Sequence, residues 1–150
     1  MGGALIVAMG NPLRSDDGAG PAAVTGLEGP GRSVRLVPEL MPELAEEVAH
    51  AKTVVFVDAR EASPGGAVQV LALEPSPHAR MGTFSHALSP EGVLALAASL
   101  YGHRPKAFLV TVNGSDFELG EHLSPEVERA LPSLRARILK LLCDSAPADR

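Results

Sequence analysis

Tryptophan is absent from these 150 residues, tyrosine occurs once, and aromatic residues make up 3%. A binding surface built on aromatic stacking is therefore not expected, because such surfaces draw on Trp and Tyr. Cysteine also occurs once, as Cys143. One thiol cannot close an internal disulfide, and no Cys-x-x-Cys pair is present to hold zinc. That usage fits a reducing compartment, so a cytoplasmic location is the expectation. No run of Lys or Arg stands out, and the formal net charge is -5. Nucleic acid and anionic membrane both select basic patches, so neither is an expected partner. No apolar run approaches the ~18 residues that a membrane span needs, and no membrane insertion is expected. The opening MGGALIVAMG is apolar but lacks the basic n-region of a signal peptide.

What is present is an ordinary globular composition, 45% hydrophobic and 21% charged, close to soluble averages. A chain of this length fits one domain and buries roughly 70% of its unfolded surface. Residues 1–143 are read as that domain and 144–150 as a frayed tail.

Short apolar runs alternate with helical patterns. Ala4 to Met9 is a continuous apolar run stopped by Gly10-Asn11-Pro12, the mark of a strand buried on both faces. A polar loop leads to Asp17-Gly18-Ala19-Gly20-Pro21, and a helix is expected over Ala22 to Leu27 with an acid at its positive end. Ser33 to Val37 reads as a strand. Pro42 to Ala51 reads as a helix with Leu44, Val48 and Ala51 on one face. Thr53 to Val57 is β-branched and apolar, a strand that should stop at Asp58. Ala67 to Leu73 reads as a strand at an edge, and Glu74 to Thr83 as a loop. Ser89-Pro90-Glu91 combines a cap, a proline at the first position and an acid, so a helix should start there and run to about Tyr101. Phe108 to Val112 is the last strand, followed by a loop, Asn113 to Leu123. Ser124-Pro125-Glu126 repeats the helix start. Pro132 should kink that final helix or shift its start. The alternation predicts an α/β protein whose mostly parallel sheet of about five strands carries helices on both faces.

Parallel sheets present ligands at the carboxyl ends of their strands. Asp16 and Asp17 follow the first strand, Asp58 ends the third, and His86 precedes the Ser89 helix. Two carboxylates and an imidazole suit a divalent metal, and imidazole suits nickel, zinc or copper. With no thiolate in the set, a closed structural zinc site does not fit. Acid–base chemistry by paired carboxylates is the other physical reading. Each residue also has a plain alternative. Asp17 could serve as a helix N-terminal acid, Asp16 as a turn or cap residue, Asp58 as a strand terminator and His86 as a loop histidine. Gly10, Gly18 and Gly20 permit tight backbone beside the site, and Asn11 is expected to brace the loop through its side chain.

GNPLRSDDGAGPAAV (Gly10 to Val24) resembles the N-terminal signature of the [NiFe]-hydrogenase maturation proteases: a hydrophobic strand, Gly-Asn, a few variable residues, then Asp-(Asp/Glu)-Gly-x-Gly. VVFVDA (Val54 to Ala59), SHALSP (Ser85 to Pro90) and GEHLSPEVERAL (Gly120 to Leu131) resemble later segments of that family in order, and the likeness covers most of residues 4 to 142. The resemblance implies a three-layer α/β/α sandwich of the phosphorylase/hydrolase-like kind. It also implies an endopeptidase that removes a C-terminal peptide from the nickel-loaded precursor of a hydrogenase large subunit. Carried over, the catalytic and metal-binding residues are Asp17, Asp58 and His86, with Gly10, Asn11 and Asp16 toward substrate. Nickel would arrive with the substrate, and the free enzyme would hold no tight metal. The chain departs from the family at PELMPEL (Pro38 to Leu44), where a Gly-rich turn is common. It also lacks the Pro-Glu that many members carry in the loop after the last strand. Both loops could touch substrate, which leaves the target hydrogenase open.

Two rivals share some of the pattern. A phosphoacceptor receiver domain has acids after its first strand and an Asp ending its third, but its acids follow the strand directly and it needs a Lys where this chain has Asn113-Gly114. A nucleotide-binding domain is disfavoured because Gly10 to Gly20 fits neither phosphate-loop spacing. A non-cleaving, metal-dependent binding protein of the same fold stays open.

Overall fold

The structure is a computed structural model and describes residues 3–76 and 88–144. Ala4–Met9 forms β1, Arg32–Val37 β2, Thr53–Glu61 β3, Val68–Ala72 β4 and Lys106–Gly114 β5. They make one sheet in the order β2-β1-β3-β5-β4. The first four strands of that order are parallel, and β4 is an antiparallel edge.

The continuous apolar runs of β1 and β3 follow from burial on both faces. Leu5, Val7 and Met9 join Val54 and Phe56 in one core layer. Ile6 and Ala8 join Val55, Val57, Val110 and Val112 in the other. The first layer is closed by α2 (Ala45–Ala49) and α3 (Pro90–Tyr101) through Val48, Val93, Leu94 and Ala97. The second is closed by α1 (Ala19–Val24) and α4 (Pro125–Asp144) through Ala23, Val24, Val127, Leu134 and Ile138. Each fully buried Val, Ile or Phe contributes about 1.5–3 kcal/mol. The result is the expected three-layer α/β/α sandwich.

Several boundaries differ from the sequence reading. β3 does not stop at Asp58; it continues to Glu61 because each residue from Asp58 to Glu61 finds a partner in β5. β5 is longer than Phe108 to Val112 for the same reason. The first helix lies earlier than Ala22 to Leu27. The chain enters it through a 3-10 turn at Ser15–Gly18, and it ends where Thr25 turns extended and Gly26 takes φ 79°. Pro21 is tolerated there because the first N–H groups of a helix need no partner within it. The second helix is split into a 3-10 turn, Pro42–Leu44, and α2. Pro132 does not shift the start of α4, which runs through it from Pro125 to Asp144. Val127 and Ala130 before it, and Leu134 and Ile138 after it, all bury on the same layer. Keeping that stripe aligned outweighs a proline cost of about 3 kcal/mol. At Ser89 the expected cap is present, its Oγ accepting from the N–H of Gly92 at 3.1 Å. Asp144 is the last residue of α4, and the remainder of the 144–150 tail lies outside the described residues. Among the described residues no helix is long and apolar enough to cross a membrane.

From β1 the chain steps outward to β2 and then returns to the other side of β1 as β3, so the sheet order reverses between β1 and β3. Such a switch point opens a crevice at the carboxyl ends of the two strands. Gly10 and Asp58 sit at that crevice.

Candidate active site

Beyond β1 the backbone turns sharply at Gly10, whose φ is 136°. A Cβ at this position would lie 2.0 Å from the carbonyl oxygen of Asp17. The closeness is functional in effect, because it lets the loop fold back on itself. Asn11 donates its N–H to Asp17 Oδ2 at 2.7 Å, and Asn11 Oδ1 accepts from the Leu13 N–H at 2.9 Å. The brace expected from Asn11 is therefore present, and its main chain also fixes the Asp17 carboxylate. Gly20 serves the same corner, since a Cβ there would stand 3.0 Å from the Met9 carbonyl and 3.2 Å from that of Val57. We expect Gly10→Ala to cost about 1–3 kcal/mol from backbone strain alone and to displace Asp17. Denaturant unfolding would show the loss, and an unchanged midpoint would show that the loop has room to move.

Asp58 shares its sheet face with Val54 and Phe56, which face the α2/α3 layer. Its Oδ1 accepts from the N–H of Ala59 at 2.9 Å. Asp17 and Asp58 line one cleft of about 610 Å³, together with Gly10, Leu40, Leu88 and Glu91. Burial pushes the Asp58 carboxyl up to about 7; the Ala59 hydrogen bond works against this, and the negative charge of Asp17 adds to it. Each of the two carboxylates thus has one oxygen held by a backbone N–H and one without a hydrogen-bond partner among the described residues. The backbone thus sets the orientation of both carboxyl groups, and each keeps one oxygen available to the cleft.

Asp16 behaves differently, and the expectation that it meets substrate is corrected. Its side chain is fully buried. Oδ2 accepts from the N–H groups of Ser115 and Asp116 at 2.8 and 3.0 Å and from the Ser124 hydroxyl at 2.9 Å; Oδ1 accepts from the Ser124 N–H at 2.7 Å. Burial alone would raise its pKa, but the hydrogen bonds from Ser124, Ser115 and Asp116 outweigh it and hold the carboxyl below its usual value. Consecutive residues of a helical turn point in different directions, so the Asp-Asp pair sends one carboxylate into the cleft and one into the body. The Asp16 side tethers the loop after β5. Backbone bonds from Ser15 to Gly120 and from Gly120 to Leu13, both 2.8 Å, and the Ser15 hydroxyl on the Glu118 carbonyl at 2.7 Å complete that seam.

His86 lies outside the described residues. Among the described residues no group of three or more His, Cys, Asp and Glu could hold a metal ion. Asp17 and Asp58 therefore form a two-carboxylate set. Gly10 borders the cleft, while Asn11 acts on it through Asp17 rather than lining it. Sequence reading did not single out Glu39, Leu40 and Glu91 as cleft residues. The available hint was the departure at PELMPEL, whose first three residues form one rim.

No protein-family model and no curated protein sequence matches the chain. Solved structures do. The hydrogenase maturating endopeptidase HybD from E. coli is 25% identical with a TM-score of 0.80, over 96% of this chain and 94% of that one. The hydrogenase 2 maturation peptidase from Thaumarchaeota archaeon SCGC_AB-539-E09 is also 25% identical, with a TM-score of 0.67 over 93% and 97% of the two chains. The [NiFe] hydrogenase maturation protease HycI from Thermococcus kodakarensis KOD1 shares the fold at 22% identity and a TM-score of 0.69, over 94% and 92%. The likeness spans nearly the whole of each chain. Over nearly its whole length the chain thus has the fold of proteins named as hydrogenase maturation endopeptidases, which are peptide hydrolases.

Proposed function

We propose that this protein removes a C-terminal peptide from the nickel-loaded precursor of a [NiFe]-hydrogenase large subunit. The observation that carries the reading is the meeting of Asp17 and Asp58 in one cleft at the sheet's switch point. Burial and the charge of Asp17 disfavour a second negative charge on Asp58, and a cation between the two carboxylates would relieve that. Hard oxygen donors, with an imidazole from His86 as a third, suit a borderline divalent ion such as nickel. The metal belongs to the substrate, whose own ligands fill the remaining positions.

In this reading Asp17 and Asp58 offer their free oxygens to the incoming site and so fix the precursor's position. The Asn11 and Ala59 N–H groups hold the opposite oxygens and set the carboxylate planes. The Leu40 and Leu88 side of the cleft excludes water from the bound segment. Nickel held there would supply a Lewis acid beside the scissile carbonyl.

The expected behaviour is specific. The purified chain folds without metal and holds at most a weakly bound ion, because two or three ligands leave positions open. It cleaves nickel-loaded precursor and ignores the metal-free form. Metal analysis of the protein and mass spectrometry of precursor with and without nickel decide this. A tightly held stoichiometric metal, or efficient cleavage of nickel-free precursor, would replace the bridging reading with an ordinary metallopeptidase.

A further inference from the structure

The cleft does not end at Asp58. In the sheet, Asp58 is in line with Thr111 of β5, and Thr111 is in line with Gln69 of β4. In-line residues share a face. Here it is the face of Phe56, Ala107 and Leu109, which pack in or against the α2/α3 layer. Arg60, two residues beyond Asp58, points the same way and donates from Nη1 to Gln69 Oε1 at 3.2 Å. A polar track thus runs from Asp58 across Thr111 to Gln69 and Arg60. At its far end a second groove of about 430 Å³ wraps the edge strand, lined by Arg60, Gln69, Leu71 and Thr111 on this face and by Val68 and Arg137 on the α1/α4 side. Leu109 borders both this groove and the cleft, so the two are neighbours on the sheet.

The charge of this groove is opposite to that of the protein. The chain carries -5 overall, yet the groove has two arginines and no Asp or Glu on its border. Neither guanidinium has an ion-pair partner among the described residues. Arginine presents a fork of donors that matches a carboxylate. The outer side of β4 is also unpaired among the described residues, with Leu71 56% exposed. An exposed edge of this kind accepts extended chain.

We propose that Arg60 and Arg137 form a subsite for the terminal carboxylate of the substrate's C-terminal peptide, whose leaving segment crosses the sheet from Asp58 to β4. This rests on the endopeptidase reading above, which supplies a substrate tail ending in a free α-carboxylate. Two strand spacings separate Asp58 from Gln69, about 10 Å, or roughly three extended residues. The bond at Asp58 would then be followed by a tail of at least that length.

The test has a binding arm and a cleavage arm. The binding arm titrates ¹⁵N-labelled protein with a flexible Gly/Ala hexapeptide, as the free acid and as its C-terminal amide. The free acid should move the Gln69, Leu71 and Thr111 amides and the Arg60 Nε signal. It should bind about fivefold or more tighter than the amide, the scale of two partly exposed charge pairs. Arg60→Gln with Arg137→Gln should erase that preference and leave thermal unfolding unchanged. Equal binding of acid and amide, or a preference that survives the double change, would overturn the subsite. The cleavage arm compares precursor processing by wild type and the double variant, and the loss should appear as a raised KM. If wild type processes precursor and the double variant matches it in KM, the subsite is wrong and the endopeptidase reading stands. If wild type processes nothing while the acid preference holds, the endopeptidase reading is wrong and the carboxylate site stands.

Discussion

Asp16→Ala is expected to lower unfolding stability by roughly 3–5 kcal/mol, the scale of removing one partner from a buried charged network. The substitution strips four donors of their acceptor at once: three backbone N–H groups and the Ser124 hydroxyl. None of these can turn to solvent without opening the seam between the loops after β1 and β5. A domain of this size has only about 5–15 kcal/mol in total, so the variant should sit near the edge of folding. Asp16→Asn keeps the volume but turns one acceptor oxygen into a donor that faces donors, and it should be nearly as damaging. The pH dependence has a defined sign. A carboxyl held below its usual value stabilises the fold when ionised. That stabilisation is complete above the unfolded-state pKa of about 3.9 and is lost as pH falls through the lower folded-state value. The gap between wild type and Asp16→Asn should therefore be widest above about pH 4 and narrow in stronger acid. Chemical denaturation at a series of pH values measures it. A variant as stable as wild type at pH 7 would mean that the two loops are held together by their other bonds alone.

The part of this arrangement that sequence discloses is the part fixed by local chemistry. β1 and β3 read as strands because both of their faces are buried, which forbids polar residues along Ile6 to Ala8 and Val54 to Val57. The start of α3 reads from Ser89-Pro90 because a cap acts within three residues. What escapes is set by partners distant in the chain. The end of β3 depends on how far β5 offers hydrogen bonds, so Asp58 lies inside a strand although it resembles a terminator. Pro132 looks like a place for the final helix to start until the burial of residues on both sides of it is known. The two members of the Asp16-Asp17 pair are indistinguishable by type, and only the turn geometry sends one into the body and the other to the cleft. Gly10 is legible as a tight turn, but not the 2.0 Å that a Cβ would leave to Asp17. Arg60 and Arg137 carry no signal at all in sequence, because only the antiparallel edge strand brings β3 and α4 to one groove.

Asp58→Asn should separate activity from stability in opposite directions. Asp58 supplies a charged oxygen to the cleft, and the amide offers a neutral one in nearly the same shape. Processing of nickel-loaded precursor should fall by about 10²–10⁴-fold, the range associated with a positioned acid–base group, whether Asp58 serves as ligand or as base. The fold should gain. Burial and the neighbouring Asp17 disfavour the Asp58 carboxylate and push its pKa up to about 7. A native state that keeps its proton where the unfolded chain has released it loses stability as pH rises. For Asp58 that loss accumulates between the unfolded-state value near 3.9 and about 7, and it persists above. The asparagine variant escapes it. Near pH 4 the two proteins should be about equally stable, and at pH 8 in EDTA the variant should be ahead by at least about 1 kcal/mol, each pKa unit being worth about 1.4 kcal/mol. Added divalent metal should close that gap from the wild-type side, because a cation compensates the two carboxylates only where both are charged. Paired unfolding curves at pH 4 and pH 8, with and without nickel, measure all three effects. A variant that is less stable than wild type at pH 8 would assign Asp58 a structural task, and full processing by that variant would remove it from the reaction.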